Sequence, residues 1–332
     1  MTSPKLDSST PYAAVEILPS REVPLGGPRA MPVRRTLPLR QRALIGAWCF
    51  VDHYGPDDVA ATGGMDVAPH PHTGLQTVSW LFQGEVTHHD SVGNAAQVRP
   101  GELNVMTAGP GISHTEVSTP ETKVLHGVQL WLALPDATRH TATPGLTHYA
   151  PPVTQVPGGS LLVFLGSLAG AESPVETHTP LLGAEARIDA GAEIALEVSP
   201  EFEHGLLVDT GAVELEGTTV ERGAVGYVGI GKRVLRVRNA GDEPARALLI
   251  GGTPFGEEIL MWWNFVARRD EEIRQFRQQW QERGARFGFV EGYVGHGGPG
   301  KNAEGMEWLP APELPPVALK PRHNAPPHAR TD

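Results

Sequence analysis

Short apolar runs separated by glycine and proline recur along most of the chain. In the first half they include Thr77–Phe82, Leu103–Met106 and Val124–Leu134. The last reads V-L-H-G-V-Q-L-W-L-A-L, too short and too rich in strand-favouring residues for a helix that stands alone. A second block holds Leu161–Leu165, Ala192–Val198, Gly205–Val208, Ala212–Leu215, Gly223–Val228, Val234–Val237 and Ala247–Ile250. Turn signals about every 8–12 residues between such runs predict a sandwich or a small barrel. Tyr149-Ala-Pro-Pro-Val reads as a linker between the blocks, so the fold class is all-β with a duplicated domain. The expected boundaries are an arm over 1–30, a first domain over 31–150 and a second over 151–265. A helical segment over 266–294 and a poorly ordered tail over 295–332 complete the chain.

Only one segment has helical periodicity. From Asp270 to Gly284 the apolar residues Ile273, Phe276 and Trp280 fall on one face. Asp270, Glu271 and Glu272 at the start and Arg283 at the end complement the helix dipole, and Gly284 suits the position after the last turn. Within the arm, Val15-Glu16-Ile17-Leu18 is extended and can add an edge strand.

Composition narrows the function. The chain has 332 residues, 39 of them glycine and 31 proline, and its formal charge is −11. That sign repels phosphate backbones, and the pairs Arg34/Arg35 and Arg268/Arg269 are too short to form a basic patch, so direct nucleic-acid binding is not expected. No apolar stretch approaches the ~20 residues that cross a bilayer. The opening MTSPKLDSSTPY lacks the apolar core of a secretory signal, and a single cysteine, Cys49, cannot form an internal disulfide. These features predict a soluble, cytoplasmic protein.

The chemistry concentrates in two stretches. In Pro69-His70-Pro-His72, residues i and i+2 of a strand turn both imidazoles to one side. Among 14 histidines such a pair is weak evidence by itself. Ser113-His114-Thr-Glu116 repeats the spacing about 40 residues later, after another Gly/Pro-rich turn. Two inward pairs can close on one cation; without that context the four are ordinary polar residues. Three imidazoles and a carboxylate suit Fe(II), Mn(II), Ni(II), Cu(II) or Zn(II) and disfavour Ca(II) and Mg(II). Iron is preferred because a six-coordinate ion keeps positions for O₂ and a chelating substrate.

Val33–Pro56, with its Asp52-His53-Tyr54-Gly55-Pro56 ending, resembles the opening of the pirin family. So do Pro69–Gly74, His89-Asp90-Ser91, Pro100-Gly101, Met106–Glu116 and the later Met261-Trp-Trp-Asn-Phe-Val-Ala-Arg. The likeness covers about Val33 to Gly292. It implies a bicupin, two β-barrels packed face to face, with a short C-terminal helix. It also implies iron in the N-terminal barrel on His70, His72, His114 and Glu116, and a metal-free C-terminal barrel in which His204 is an ordinary buried or rim residue. Gln76 departs from the general cupin pattern, which has a glutamate there, and is a candidate to line the pocket or support a ligand.

Some pirins resemble quercetin 2,3-dioxygenases, and the resemblance therefore implies an enzyme that uses O₂ on a flavonol or similar aromatic. In that reading Glu116 accepts the substrate's hydroxyl proton or serves as a plain ligand. Trp80, Phe82 and Met106 line an apolar mouth or belong to the barrel core. His88, His89 and Asp90 orient a ligand histidine or form a solvated loop. The alternative drawn from the family is a non-catalytic regulator, whose iron is a redox switch controlling binding to a transcription factor or a metabolic enzyme.

Overall fold

The computed structural model describes residues 15–24, 31–322 and 324. The remainder of the expected arm and the last residues of the expected tail lie outside the described residues. Strands dominate, in two units of one plan, each combining a seven-stranded and a four-stranded antiparallel sheet.

In the first unit the larger sheet runs, in spatial order, Gly145–Tyr149, Leu103–Thr107, Leu75–Gln83, Val124–Ala133, Trp48–Asp58, Pro32–Leu37 and Arg21–Pro24. Its smaller sheet is Asp66–His72, Ile112–Ser118, Val86–Asp90 and Ala95–Val98. The second unit repeats this. Its larger sheet, from Glu16–Leu18 to Val153–Val156, centres on Glu203–Thr210, Ala245–Gly252 and Leu181–Ile188. Alternating side chains of its two sheets, Ala184, Leu206 and Val208 against Ile194, Leu196 and Leu235, fill a closed core. The strand predicted near Val15 forms as Glu16–Leu18, yet it pairs with Val225–Val228 of the second unit, tying the start of the chain to the far barrel.

The two seven-stranded sheets pack against each other. Trp48, Val51, Val78, Trp80, Val128 and Leu130 of the first meet Leu162, Phe164, Leu207, Leu248 and Ile250 of the second in one buried cluster. The Phe164 ring lies tilted against Trp80, with centroids 4.6 Å apart. It needs glycine at position 183, where a Cβ would stand 2.2 Å from its ring.

The helix spans Asp270–Gln281 and buries Ile273, Phe276 and Trp280. Its ending differs from expectation. The left-handed residue is Arg283 (φ 55), not Gly284. A non-glycine residue there costs roughly 1 kcal/mol. Arg283 offsets that cost by setting its guanidinium against Trp308 and Phe289, 5.0 and 5.5 Å from their ring centroids.

The loose tail expected from residue 295 is also corrected. Residues 295–322 wrap the first barrel and the helix. Leu309 N donates to Pro69 O at 2.9 Å, Trp280 Nε1 donates to Leu309 O at 2.8 Å, and Asn302 is buried. Sequence pattern missed this because Met306, Trp308, Leu309 and Ala311 have no strand or helix period of their own; they bury singly against a surface built elsewhere. Among the described residues no helix is long and apolar enough to cross a membrane.

His204 sits on an inner strand of the second barrel, 1% exposed, with neither ring nitrogen hydrogen-bonded. Burial pushes its pKa down to about 4, so the folded protein holds it neutral. The unfolded chain takes up a proton near pH 6.5 and the folded one does not, so this group erodes stability as pH falls from 6.5 towards 4. His204→Leu is therefore expected to stabilise by about 1–2 kcal/mol at pH 7, through removal of unpaired polar atoms. The gain should be larger at pH 5, as read from urea midpoints.

Candidate metal centre and its cavity

Strand alternation turns His70 and His72 to one side of Asp66–His72, and His114 and Glu116 to one side of Ile112–Ser118. The two strands are paired neighbours, with His114 opposite His70. Gly74 makes the turn that follows His72 possible. Its φ is +67, and a Cβ there would stand 2.2 Å from Val266 O. That close approach lets the hairpin containing Asn264 dock on the histidine strand.

The structure brings His70, His72 and His114 together. One ring nitrogen from each lies within 4.8 Å of the others, and all three residues are buried. Hydrogen bonding fixes which nitrogen is free. His70 Nδ1 lies 3.0 Å from Ala68 O and His72 Nδ1 lies 3.1 Å from Asn264 O. A carbonyl only accepts, so both Nδ1 atoms carry the proton and both Nε2 atoms carry lone pairs. His114 Nδ1 meets His88 Nδ1 at 3.2 Å, and His88 Nε2 faces Asp90 Oδ2 at 3.5 Å. With His88 donating to that carboxylate, His114 donates to His88, and its Nε2 is free as well. The free Nε2 atoms of His72 and His114 are then 3.1 Å apart. Converging lone pairs repel unless a cation sits between them, so this donor set fits a divalent transition metal.

Electrostatics agree. Burial pushes His70 down to about 4 and holds His72 and His114 well below the usual imidazole range, with the neighbouring histidines adding to the effect. All three are neutral near pH 7, as ligation requires.

Glu116 is placed differently. Its carboxylate falls outside the set of donors within 4.8 Å of one another, although it lines the same cavity. Burial raises its pKa, opposed by His88 and by hydrogen bonds from Ser79 (Oγ to Oε1, 3.4 Å) and Gln129. The cavity measures about 640 Å³, the scale of a drug-sized ligand. Its apolar wall comes from Phe50 and Trp131, stacked at 4.1 Å, and from Met261, Trp263, Met306 and Leu309.

Several expected site residues lie elsewhere. Trp80 and Phe82 face the second barrel: Trp80 Nε1 donates to Glu185 Oε2 at 2.8 Å, and Phe82 lies 4.1 Å beneath the guanidinium of Arg246. Met106 is packed into a core cluster with Cys49 and Ile112. Gln76 gives its amide to Thr107 Oγ1. His89 is half-buried on the outward side of Val86–Asp90, and His88, on the inward side, makes the contact with His114.

A second group of three metal-type donors, His53, His126 and Asp209, spans the barrels. It differs in its protons. Arg34 Nε donates to His53 Nδ1 at 3.3 Å, so His53 Nε2 carries hydrogen and donates to Asp209 Oδ1 at 2.7 Å. His126 Nε2 reaches the same oxygen at 2.6 Å, and Arg246 Nε donates to Oδ2 at 2.6 Å. No free lone pairs converge here, and a guanidinium already neutralises the carboxylate. This is an ion-paired joint.

Two β-barrel domains packed on their larger sheets, with a buried three-histidine centre in the first, define a bicupin. The family description Pirin matches residues 30–132, and that of the Pirin C-terminal cupin domain matches residues 183–288. The Pseudomonas aeruginosa protein named "Putative quercetin 2,3-dioxygenase PA1205" is 43% identical over 277 residues, 83% of this chain and 86% of that protein. The chain belongs to the pirin family. A crystal structure titled quercetin 2,3-dioxygenase from Acinetobacter baumannii is 37% identical, with a TM-score of 0.83 over 92% of this chain and 97% of that one. A more distant Escherichia coli pirin, solved in complex with nickel(II), shares the fold at 19% identity and a TM-score of 0.55, over 72% of this chain and 99% of that one.

Proposed function

We propose that the protein is a metal-dependent dioxygenase acting on quercetin or a similar hydroxylated aromatic, with Fe(II) on His70, His72 and His114. One observation carries this reading. Three neutral, pre-oriented imidazoles open onto a cavity of about 640 Å³ whose wall is aromatic and which holds one buried carboxylate. The relatives' names point to the same chemistry. Fe(II) bound there would supply Lewis-acid polarisation of a substrate oxygen and a route for electrons to O₂.

The chain's own residues do the rest. Phe50, Trp131 and Trp263 offer flat surfaces that orient an aromatic ring edge-on to the histidines. Met306 and Leu309, carried by the C-terminal segment, keep water from that wall. Glu116 takes the hydroxyl proton onto a carboxylate oxygen. Burial raises its basicity, which suits it to a phenolic proton, and Ser79 and Gln129 hold it in place. Zn, Mn, Ni or Cu satisfies the same donors, and metal analysis of the purified protein decides among them.

The test is oxygen uptake with quercetin, using iron-loaded and metal-stripped protein. Uptake matched to quercetin loss, in the loaded sample alone, is expected. Equal rates in the two samples would overturn the proposal.

A further inference from the structure

The lining of the cavity is also cationic. Arg21, Arg35 and Arg322 line the same space as His70, His72 and Glu116. They come from three separate segments: the strand Arg21–Pro24, the strand Pro32–Leu37 and the C-terminal stretch. Arg322 is held there by its backbone, which exchanges hydrogen bonds with Ile259.

Their charges are unequally matched. Arg35 is forked onto Asp52, with both contacts at 2.7 Å, and Asp52 is fully buried. The Arg21 guanidinium donates to Pro38 O, at 3.1 Å. Among the described residues neither Arg21 nor Arg322 has a carboxylate within ion-pairing distance. The Arg21 pKa is lowered, first by burial and then by Arg35 and Arg322, with Asp52 opposing, so the cations press on one another. Arg21 and Arg322 are exposed at the cavity, so on a chain of net charge −11 they form a local cationic patch that an anion can reach from solvent. A guanidinium pair is well suited to a carboxylate, which it can grip through parallel hydrogen bonds.

We infer that the substrate of this cavity is a hydroxylated aromatic carboxylate, with its ring hydroxyls towards the three histidines and its carboxylate held by Arg21 and Arg322. The inference rests on the proposed reading of the cavity as a substrate site. It narrows that reading from neutral flavonols to aromatic acids.

The experiment compares 3,4-dihydroxybenzoate with its methyl ester, which keeps the ring and hydroxyls and lacks the charge. Binding to the full-length, metal-loaded protein is followed by tryptophan quenching, since Trp131 and Trp263 line the cavity. The acid is expected to bind at least tenfold more tightly than the ester, with an advantage that shrinks as salt rises. In Arg21→Gln/Arg322→Gln the advantage should vanish while the ester's affinity stays the same. Arg21→Lys/Arg322→Lys should keep part of it.

Equal binding of acid and ester, no binding of either, or an advantage that survives in the glutamine variant would each overturn the inference. The quercetin assay reports separately on the proposed reaction. Turnover without acid preference leaves the dioxygenase and removes the anionic substrate. Arginine-dependent acid binding without any oxygen uptake does the reverse.

Discussion

Protein carrying His72→Ala is expected to purify with almost no metal and to show no quercetin-dependent oxygen uptake. His72 supplies one of the two free nitrogens that face each other at 3.1 Å, and without it the remaining pair cannot enclose an ion. The thermal response should separate this from misfolding. Wild type gains stability as metal is added, by about 2.7 kcal/mol at a hundredfold excess over the dissociation constant, and the variant gains none. Stripped of metal, the two should unfold at similar points, because losing the imidazole's packing is offset by relief of lone-pair repulsion. Glu116→Gln is the informative companion. It is isosteric, and its carboxylate stands outside the three-histidine set, so metal content should hold while turnover falls by about 100-fold or more. If that variant instead loses its metal, Glu116 is a ligand and the assignment of proton transfer fails.

The contrast between His72 and Trp80 shows what could be read from the chain. His70, His72, His114 and Glu116 announce themselves because both members of each pair lie two residues apart on one strand, a local pattern. The bicupin fold was legible for a similar reason, since turn spacing and the family's motifs are both visible in one dimension. Parity within Leu75–Gln83 was not. Ser79 points towards Glu116, and Val78 and Trp80 point towards the other barrel. Both faces of that strand are buried, so hydrophobicity does not say which face is the cavity. The strand Val124–Ala133 hides the same secret: Gln129 and Trp131 line the cavity while Val128 and Leu130 join the barrels. A polar residue in an apolar run, as Gln129 is, was the one available signal. Met306, Leu309 and Arg322 had none, because their place depends on a surface assembled from distant strands.

Removal of Asp209 is expected to cost about 3 kcal/mol, enough to unfold a marginal protein, because it strips the partner from a partly buried guanidinium and from two buried imidazole N–H groups. Asp209 is wholly buried and gathers His53, His126 and Arg246 at 2.6–2.7 Å, joining strands of both barrels. Burial alone would raise its pKa. Hydrogen bonds from His126 and His53, together with the charge of Arg246, outweigh that and hold the carboxyl well below its usual range. Its contribution is therefore complete above about pH 4, where an unfolded aspartate is ionised, and is lost as pH falls through the depressed folded value. His53 acts in the same direction at higher pH. Burial keeps it neutral in the fold, so stability falls as pH drops below about 6.5 and the unfolded chain protonates first. Asp209→Ala should thus lower the urea midpoint strongly at pH 7, and metal addition should not restore it, since the joint holds no ion. Asp209→Leu combined with Arg246→Met, which removes the carboxylate and the guanidinium together, should recover much of the loss. If Asp209→Ala unfolds at the wild-type midpoint, the hydrogen bonds to Asp209 contribute nothing, and the apolar cluster around Trp80 and Phe164 holds the barrels together alone.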